Sequence, residues 1–588
     1  MTSNQIAVLC AIASQGGGLS QRAIAEETRL SLGTVNAAVR VLEETGLLTD
    51  RSELTEAGDA AVEPFRVENA VIMAAGLSSR FAPISYERPK GVLRVRGEVL
   101  IERQIRQLRE AGVEDITVVV GYKKEEFFYL EDLFGVRICV NDSYASRNNN
   151  STLKLVEKRL GNTYICSSDD YFTENPFRSF VPRAYYASEY VEGETDEYCI
   201  VTQGKDRLIA GATVGGRDAW IMLGHVYFDR SFSSAFVEIL DAEYDRPETA
   251  GKLWEDIYLD HVSELPMVCL PYNSGVIFEF DSLDELRAFD PAFVDNVDSS
   301  IMDNICAVLG CTRRDIYEIA PIKQGLTNLS FSFVVNGQTY VYRHPGAGTE
   351  EIINRKSEAF SQSVASRLGI DGTFVFEDPE EGWKISRFVP GCVEFDYHND
   401  AHVKEGLRLA RVLHESDETS EWSFDVYAKS CEIVELLEVR SGVSFPDFAE
   451  LSERAARLAD CVRADGTEPC LCHNDFYSPN FLVHERGMDL IDWEYSAMSD
   501  YASDLGTFIC CSDYDVDDAR RVIALYFERT PTFEEERHCL AYVALCAWYW
   551  FVWALYKDAS GDPVGEWLYL WYRATKKFGV LASGMYGG

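Results

Sequence analysis

The chain has 588 residues, of which 46% are hydrophobic and 12% aromatic, a content that can build large cores and excludes global disorder. Its 55 basic and 96 acidic residues give a formal net charge of −41, which disfavours long-range attraction to nucleic acid or anionic membranes. At this length roughly two to four domains are expected. The 16 cysteines are scattered without a paired C-x-x-C zinc spacing, and no basic region precedes an apolar core at the N-terminus, so we expect reduced thiols, no signal peptide and a cytoplasmic protein.

Residues 1–66 predict a small helical unit with a wing. Ser20 is typical of the N-cap of a second helix, Gly46 of the C-cap of a third, and residues 47–54 would form the wing. The pattern resembles the winged helix-turn-helix domain of the multiple-antibiotic-resistance-regulator type, which implies DNA binding. However, this stretch has five arginines, no lysine and nine acidic residues, hence a net charge of −4, and only Arg40 lies in the recognition helix. Because a DNA reader neutralises phosphates with Lys and Arg, DNA binding is possible but a docking or regulatory role is favoured.

From residue 67 the chain reads as a buried strand, a small-residue loop and a later Pro-Lys pair. Ala74, Ala75 and Gly76 allow backbone N–H groups to approach a triphosphate closely. Arg80 and Lys90 would bring positive charge to the phosphates and to a departing pyrophosphate. The stretch A-A-G-L-S-S-R-F…P-K resembles the nucleotidyltransferase signature A-A-G-x-G-[ST]-R…P-K, with serine in place of the second glycine.

Alternating helix and strand patterns follow, which predict a Rossmann-like sheet. The polar stretch 141–150 lies where an open parallel sheet binds its ligands. A buried strand then ends in Asp169 and Asp170, and L-W-E-D-I-Y further on contains Glu255 and Asp256. In the resembled family the last acid of such a strand binds Mg²⁺ with a second, distant acid, so the resemblance implies Asp169 and Asp256 as metal ligands. A turn or helix N-cap is the alternative for the first pair, and a solvated helix start for the second.

Residues 67–298 as a whole resemble the phosphocholine cytidylyltransferase subgroup, because A-A-G-L-S-S-R-F, G-Y-K-K-E, N-x-x-Y-x-x-x-N-N and L-W-E-D occur in this order. This resemblance implies CTP as the nucleotide. A phosphomonoester has its second pKa near ~6, so its oxygen is already a nucleophile and the enzyme supplies positioning and charge stabilisation. Trp254, Trp220 and Tyr144 are candidates for headgroup contacts in this domain.

Residues 299–588 predict a third domain that begins with strands. The segment I-A-P-I-K-Q-G-L-T-N-L-S places Gln324, Gly325 and Asn328 where a loop would cover ATP, with a hairpin turn as an equal alternative. The next strand places Arg343 where protein kinases have their phosphate-binding lysine, with Glu358 as its helix partner. The run R-H-P-G-A-G-T-E-E-I-I-N-R-K-S-E closely resembles bacterial choline kinases.

The segment L-C-H-N-D-F-Y-S-P-N contains His473, Asp475 and Asn480, and I-D-W-E adds Asp492. Phosphoryl transfer from ATP needs a carboxylate that positions and deprotonates an alcohol, and amide and carboxylate oxygens that hold Mg²⁺. In protein kinases these groups occur in the motif H-R-D-x-x-x-x-N, which is followed by D-F-G. The spacing here resembles the choline kinase and aminoglycoside phosphotransferase branch of the two-lobed kinase-like fold. It predicts Asp475 as the catalytic base and Asn480 and Asp492 as metal ligands.

Aromatic residues near the C-terminus indicate the alcohol. A quaternary ammonium cannot donate a hydrogen bond and is bound by ring faces plus a carboxylate. Trp550 and Trp553 match the W-x-x-W of the choline kinase cage, and Tyr569, Tyr572 and Tyr514 are candidates for further walls. The alternative is that these rings belong to the core.

The same helix contains an uncharged run over residues 539–556, which reaches the lower length limit of a membrane span. Aromatic residues occur through its middle and do not form two interfacial belts. Because the run also follows the kinase-like motif, we expect a buried helix and no membrane span.

Together these patterns predict a multidomain α/β and α+β enzyme: a winged helix at 1–66, a Rossmann-like nucleotidyltransferase at 67–298 and a two-lobed protein-kinase-like domain at 299–588. The resemblances imply phosphorylation of choline by ATP and coupling of phosphocholine to CTP, with Mg²⁺ in both active sites. The alternatives are the same two reactions on ethanolamine or a sugar, or a transcriptional regulator whose enzyme-like domains sense ligands.

Overall fold

The computed structural model describes residues 1–322, 328–345, 353–561 and 564–587. These residues form two compact units, Met1–Ile319 and Ala320–Gly588. The first unit contains the N-terminal helices and a large mixed sheet, and the second contains a smaller sheet followed by a helical region.

The first unit begins with four short helices: α1 (Ser3–Ser14), α2 (Gln21–Thr28), α3 (Leu32–Glu44) and α4 (Glu56–Val62). Ser20 caps α2 as predicted, since its Oγ accepts the N–H of Ala23 at 3.2 Å and so satisfies one of the donors that a helix start leaves unpaired. An antiparallel bridge between Leu48 and Leu54 forms the small wing.

After α4 the chain alternates between strands and helices. In chain order these are β1 (Asn69–Ala74), α5 (Ile84–Glu87), β2 (Arg94–Val95), β3 (Glu98–Val99), α6 (Leu100–Glu110), β4 (Ile116–Val120), α7 (Tyr129–Phe134), β5 (Arg137–Val140), α8 (Asn150–Leu155), β6 (Thr163–Ser167), β7 (Asp170–Phe172), β8 (Tyr185–Gln203), β9 (Leu208–Phe228), α9 (Arg230–Glu243), α10 (Trp254–Asp260), β10 (Val268–Tyr272), β11 (Ile277–Glu279), α11 (Leu283–Phe289), α12 (Phe293–Asn296) and α13 (Ser300–Leu309).

The large sheet has the strand order β10-β8-β9-β6-β1-β4-β5. Strands β6, β1, β4 and β5 run parallel to one another, so their carboxyl ends lie at one edge, where open sheets of this kind bind ligands. β1 and β4 are almost completely buried, as expected for a parallel sheet covered by helices on both faces. A separate pair, β7 with β11, places Glu279 opposite Asp170 in antiparallel register.

Helix α13 lies in the first unit although the predicted boundary at residue 298 assigns it to the third domain. The Glu87 carboxylate accepts the N–H of Ser300 at 2.7 Å and that of Ile301 at 3.2 Å, which ties the start of α13 to α5. The division into three domains stays a prediction.

The second unit begins as a five-stranded sheet in the order β12-β13-β14-β16-β15 and continues mainly as helices. Its elements are β12 (Tyr317–Pro321, which runs through the unit boundary), β13 (Asn328–Val335), β14 (Gln338–Pro345), α14 (Arg355–Arg367), β15 (Phe374–Glu377), β16 (Lys384–Arg387), α15 (Asp400–His414), α16 (Val426–Arg440), α17 (Phe448–Asp465), β17 (Cys470–Cys472), β18 (Phe481–His484), β19 (Gly487–Leu490), β20 (Ala497–Ser499), α18 (Tyr501–Cys510), α19 (Val516–Phe527), α20 (Phe533–Ala559) and α21 (Trp567–Met585).

Helix α20 is the centre of the second unit's helical region. By length and composition it is the one helix among the described residues that could cross a membrane, and 78% of its apolar window is buried inside the protein. It packs against α16, α17, α18 and α21. A mostly buried apolar helix is weak evidence for a membrane span, because a helix that is apolar all round is the expected core helix of a large domain.

Candidate active sites

The first candidate site is a cleft of about 200 Å³ at the carboxyl edge of the parallel strands. Four of the five residues predicted to bind the nucleotide line it: Ala74, Ala75, Gly76 and Lys90. Asp169 and Tyr144 also line it, with Asn141, Arg147, Asn148 and Asn149 from the polar stretch after β5. A lining that combines small residues, which leave backbone N–H groups accessible, with side-chain amides makes this cleft suitable for a nucleotide.

Lys90 and Asp169 form a buried ion pair in this cleft. The Lys90 Nζ donates to the Asp169 Oδ2 at 2.6 Å, and the Ser167 hydroxyl donates to Oδ1 at 2.6 Å. Burial would lower the pKa of Lys90, but the Asp169 carboxylate overcomes this and holds it above its ordinary value. Burial would likewise raise the pKa of Asp169, but Lys90 holds it below. Both groups are therefore charged at neutral pH.

Gly91 allows Lys90 to reach this position. A Cβ at residue 91 would lie 2.8 Å from the side chain of Ser168, closer than carbon atoms can approach. The loop that carries Lys90 can therefore pack against the end of β6 only with glycine at this place.

Three carboxylates lie together at the end of β6: Asp169, Asp170 and Glu279 have ligand oxygens within 4.8 Å of one another. Asp170 is completely buried, and neither of its oxygens has a hydrogen-bond partner among the described residues. Burial and the nearby Glu279 and Asp169 charges raise the pKa of Asp170 well above its ordinary range. Hard oxygen donors without protein partners fit a divalent ion such as Mg²⁺. Sequence reasoning missed Glu279, because it reaches the group only through the pairing of β11 with β7.

The second predicted acid pair lies elsewhere. Asp256 accepts the Tyr198 hydroxyl at 2.8 Å and the Leu253 N–H at 2.8 Å, and it is outside the three-carboxylate group. Glu255 accepts from Asn149 at 3.1 Å and from the Tyr186 hydroxyl at 3.3 Å. Glu255 is thus tied to the polar stretch that lines the cleft, whereas Asp256 caps the start of α10.

Three other candidates of the first unit have different surroundings. The Arg80 side chain is 73% exposed and pairs with Asp281 at 3.0 Å. Trp254 is fully buried and stacks on Tyr186, so it is a core residue. Trp220 contacts Tyr190 edge-on on the β8–β9 ribbon.

The second candidate site is the loop that follows β17. Asn480 donates to the Asp475 carboxylate at 2.9 Å and to its backbone oxygen at 2.8 Å. The Asp504 carboxylate accepts the backbone N–H groups of His473 at 2.9 Å and Asn474 at 2.6 Å. The His473 ring donates to the backbone oxygen of Ile491 at 2.9 Å. These bonds fix the loop that carries Asp475 against the segment that carries Asp492.

Asp475 has the properties of a proton acceptor. It is buried, and this burial together with the neighbouring Asp492 charge raises the pKa of Asp475 well above its ordinary range. A carboxylate with a raised pKa binds a proton from an alcohol more readily than an exposed one. The predicted base, amide and second carboxylate are therefore brought together by the fold.

Two cations lie beside these acids. Arg343 contacts both Glu358 and Asp492, the latter at 3.1 Å. The Lys384 Nζ lies 3.4 Å from Glu358 and 3.8 Å from Asp492. Burial would raise the pKa of Glu358, but Arg343 and Lys384 lower it to about 2. Sequence reasoning found the Arg343–Glu358 pair and missed Lys384, which lies on a neighbouring strand without a motif.

Two buried acidic side chains that were also missed, Glu377 and Glu494, lie beside these residues. Their nearest oxygens lie 3.8 and 3.9 Å from Arg343, and burial raises the pKa of each to about 8. Gln324 and Gly325 of the predicted nucleotide loop lie outside the described residues. Asn328 begins β13, and its side chain is also outside them.

An aromatic cluster adjoins the Asp475 loop. Four tryptophans, Trp550, Trp553, Trp567 and Trp571, have neighbouring ring centres 5.3–6.3 Å apart. Tyr495 contacts Trp550 and Tyr477 contacts Trp567, both edge-on. The buried Trp550 indole N–H has no acceptor among the described residues, which is unusual for a packed tryptophan. Tyr477 follows Asp475 by two positions, so the rings adjoin the candidate base.

The structure brings none of the three predicted tyrosines to this cluster. Tyr569 is 61% exposed. The Tyr572 hydroxyl donates to Asp447 at 2.7 Å, and Tyr514 bonds the backbone oxygen of Tyr397. Trp567 and Trp571 of the same helix α21 take the positions beside Trp550 and Trp553 instead.

Comparison with known proteins gives three family matches: the MarR family over residues 1–55, a MobA-like NTP transferase domain over 70–172 and the phosphotransferase enzyme family over 406–539. They confirm the predicted order of winged helix, nucleotidyltransferase and kinase-like folds. A choline-phosphate cytidylyltransferase from Streptococcus pneumoniae is 34% identical over 221 residues, which are 38% of this chain and 96% of that protein. A 2-aminoethylphosphonate cytidylyltransferase from Lancefieldella rimae is 34% identical over 230 residues, 38% of this chain and 93% of that protein. The crystal structure of choline kinase LicA from Streptococcus pneumoniae is 21% identical, with a TM-score of 0.41, and covers 48% of this chain and 98% of that one.

Proposed function

The chain belongs to the choline-phosphate cytidylyltransferase family, and on this premise we propose that it is a bifunctional enzyme that makes CDP-choline in two steps. The kinase part phosphorylates choline with ATP, and the transferase part couples the phosphocholine to CTP and releases pyrophosphate. The observation that carries the proposal is the aromatic cluster beside Asp475 in the second unit. A kinase that binds a quaternary ammonium alcohol produces the phosphomonoester that a transferase of this family consumes.

In the kinase step Asp475 accepts the proton of the choline hydroxyl while its oxygen attacks the γ-phosphorus of ATP. A bond forms from the choline oxygen to phosphorus, the bond to the β-phosphate oxygen breaks, and ADP leaves. Arg343 and Lys384 lie beside Asp492 and bring positive charge toward the phosphates. Asn480 and Asp492 would hold the metal, which supplies neutralisation of the phosphate oxygens when bound.

In the transferase step an oxygen of phosphocholine attacks the α-phosphorus of CTP, and the bond to the β-phosphate oxygen breaks. Lys90 is held charged in the cleft and stabilises the negative charge that develops on the phosphates. The backbone N–H groups near Gly76 would bind the triphosphate. We propose Mg²⁺ as the divalent ion of both sites, with Asp169, Asp170 and Glu279 as the donors that fit it in this one.

A second candidate headgroup is 2-aminoethylphosphonate, because one relative of equal identity carries that name. A phosphonate already carries its phosphorus and needs no kinase, so the kinase-like part of this chain favours a phosphomonoester. Ethanolamine or a sugar would need hydrogen-bond acceptors where the second unit presents tryptophan rings. A pure regulator would not need the arrangement around Asp475 and Lys90.

We also propose a cytoplasmic location, because all 16 cysteines lie among the described residues as free thiols and both nucleotides are cytoplasmic substrates.

The test is a single reconstitution with the purified full chain. Choline, ATP, CTP and Mg²⁺ should give CDP-choline and pyrophosphate without another enzyme. Omission of ATP should stop the reaction, and phosphocholine should restore it. In competition, ethanolamine and 2-aminoethylphosphonate should be used less well, because a primary ammonium keeps more of its hydration and gains less from ring faces. If 2-aminoethylphosphonate is coupled to CTP in preference to phosphocholine, the headgroup assignment is wrong.

A further inference from the structure

The N-terminal winged helix shares its core with the transferase part of the chain. Phe180 lies beyond β7 in the transferase, yet its side chain is buried in the cluster of Val8, Leu9, Cys10, Ile12, Ile24, Val35, Ala38, Val39, Leu42, Leu48 and Val62. Its backbone N–H donates to the Ser14 hydroxyl at 3.2 Å, and the Arg66 guanidinium lies 4.5 Å from its ring centre. The winged helix therefore lacks a complete core without this residue.

A charged contact adds to this apolar one. The Arg178 guanidinium contacts the Glu27 carboxylate of α2 through Nε and Nη2, the second bond at 3.4 Å. Arg178 also donates to the backbone oxygens of Asn175 at 3.1 Å and Phe177 at 2.9 Å. The Arg178 side chain thus connects α2 to the backbone of residues 175–178.

The same segment continues to the acidic end of the transferase cleft. The Phe177 ring contacts Phe172, the last residue of β7, edge-on at 5.5 Å. The N–H of Arg178 donates to the Tyr164 hydroxyl of β6 at 3.0 Å. β6 ends at Ser167 and β7 begins at Asp170, so the segment held by the winged helix packs on the two strands that flank Asp169, the second of which begins with Asp170.

Three arginines of the winged helix make contacts within the protein. Arg40, the basic residue of the recognition helix, pairs with Glu44 at 3.5 Å. Arg66 lies over Phe180, and Arg29 lies 5.9 Å from the ring centre of Tyr272 in β10. These are three of the five arginines in a stretch without lysine and with nine acidic residues. A stretch with this excess of acidic residues is poorly suited to neutralise a run of phosphates.

From these contacts we propose that the winged helix binds segment 175–181 of its own chain and thereby positions Asp169 and Asp170, instead of binding DNA. The proposal rests on the transferase function proposed above and assigns positioning roles to Glu27, Arg178 and Phe180. The ligand of the winged helix is this internal segment, recognised by one aromatic ring and one guanidinium.

The test compares three variants of the full chain: Glu27→Arg, Phe180→Ala, and a charge swap that combines Glu27→Arg with Arg178→Glu. The matched control is Glu26→Arg, at an exposed neighbouring position of α2. Transferase kcat and the half-saturating Mg²⁺ concentration are measured below the unfolding transition, with kinase rate in the same sample as the internal control. We expect Glu27→Arg and Phe180→Ala to lower kcat and raise the Mg²⁺ requirement by about tenfold, since small displacements of catalytic groups are costly. The swap should recover the part of the Glu27→Arg loss that comes from the broken ion pair, but it also removes the donors to the Asn175 and Phe177 backbone oxygens, so the recovery should be partial. Glu26→Arg and the kinase rate should be unchanged.

The outcomes separate the two proposals. A wild-type chain without transferase activity contradicts the proposed function itself. An active wild type whose variants keep its kcat and Mg²⁺ requirement, or lose only thermal stability, overturns the positioning role. Sequence-specific binding of a DNA fragment at about 0.15 M salt that Arg40→Ala removes overturns the assignment of the internal segment as the ligand.

Discussion

Replacement of Lys90 by methionine tests the electrostatics of the transferase cleft most directly. Methionine keeps the length and apolar stem of the side chain but removes the charge that lies 2.6 Å from Asp169. Because only 8% of the Lys90 side chain and 14% of the Asp169 side chain are exposed, water cannot replace the lost partner. Two consequences are expected, one for stability and one for catalysis.

The loss of stability has a ceiling, because an unpaired Asp169 can take up a proton. Protonation of a carboxyl with an ordinary pKa of 3.8 costs about 4 kcal/mol at pH 7 and about 2 kcal/mol at pH 5.5, at 1.36 kcal/mol per pH unit. Breaking a buried ion pair typically costs about 3–5 kcal/mol. The protonation cost at pH 7 lies within this range, so we expect a loss of about 4 kcal/mol in the free energy of unfolding at that pH. In the wild type the lowered pKa of Asp169 stabilises the folded state at every pH above the ordinary pKa of 3.8. This stabilisation is lost as the pH falls below that value. This contribution is the same at pH 7 and at pH 5.5, so the pH dependence of the deficit comes from the variant, in which the cost of protonating the unpaired carboxyl falls toward acid; the deficit should therefore be largest at neutral pH.

The measurement is urea unfolding of the first unit at both pH values, with cytidylyl transfer and kinase rates on the same samples. Transferase kcat should fall by about 10²–10³-fold, as for other lost donors to developing charge, and the kinase rate should not change. Lys90→Met with Asp169→Asn should regain most of the stability at pH 7 and stay inactive. Lys124→Met, at an exposed pair with Asp142, is the control. A deficit that is equal at the two pH values, or a double variant no more stable than the single one, would refute the reasoning.

Three further predictions concern single groups. Asp475→Asn should lower ATP-dependent choline phosphorylation by about 10²–10⁴-fold and leave transfer from added phosphocholine intact; residual kinase activity above a few per cent contradicts its role as the base. Trp550→Leu should raise the KM for choline by about tenfold without changing that for ATP, whereas Tyr569→Leu should change neither, and equal shifts in both KM values would indicate a core role for the tryptophan. Mg²⁺ binding at pH 7 should release protons, because the pKa of Asp170 is raised. Calorimetry in two buffers of different ionisation enthalpy should detect this release in the wild type and a smaller release in Asp170→Asn. An unchanged release in the variant excludes Asp170 as the source of the protons.

What could be predicted from the sequence depended on how far apart the cooperating residues lie. Asp475, Asn480 and Asp492 are recognisable because one short loop and the following strand pair fix their spacing. Glu279 and Lys384 could not be predicted as site residues, because they reach their sites through strand pairing with distant segments, which leaves no local sequence pattern.

The aromatic cluster shows a different limit. Tyr569 and Tyr572 were named as candidates for further walls of the cage, but α21 is a helix, and residues four apart share a face. Trp567 and Trp571 have that spacing and reach Trp550 and Trp553, while Tyr569 is turned to the surface. An aromatic wall from this segment was predicted, but tyrosines were named where the structure places tryptophans, because the helical phase decides which side chains make the contact.

The burial of Phe180 in the winged helix has a consequence for how this chain can evolve. A module joined to an enzyme by a bare tether can be lost or moved to another gene without harm to either part. Here each part would be left with a defect after such a separation, since the helices would lose a core ring and the enzyme would expose a phenylalanine and an unpaired arginine to water. Gene fission at residue 66 is therefore disfavoured once this residue is in place, so selection for the enzyme also retains the winged helix.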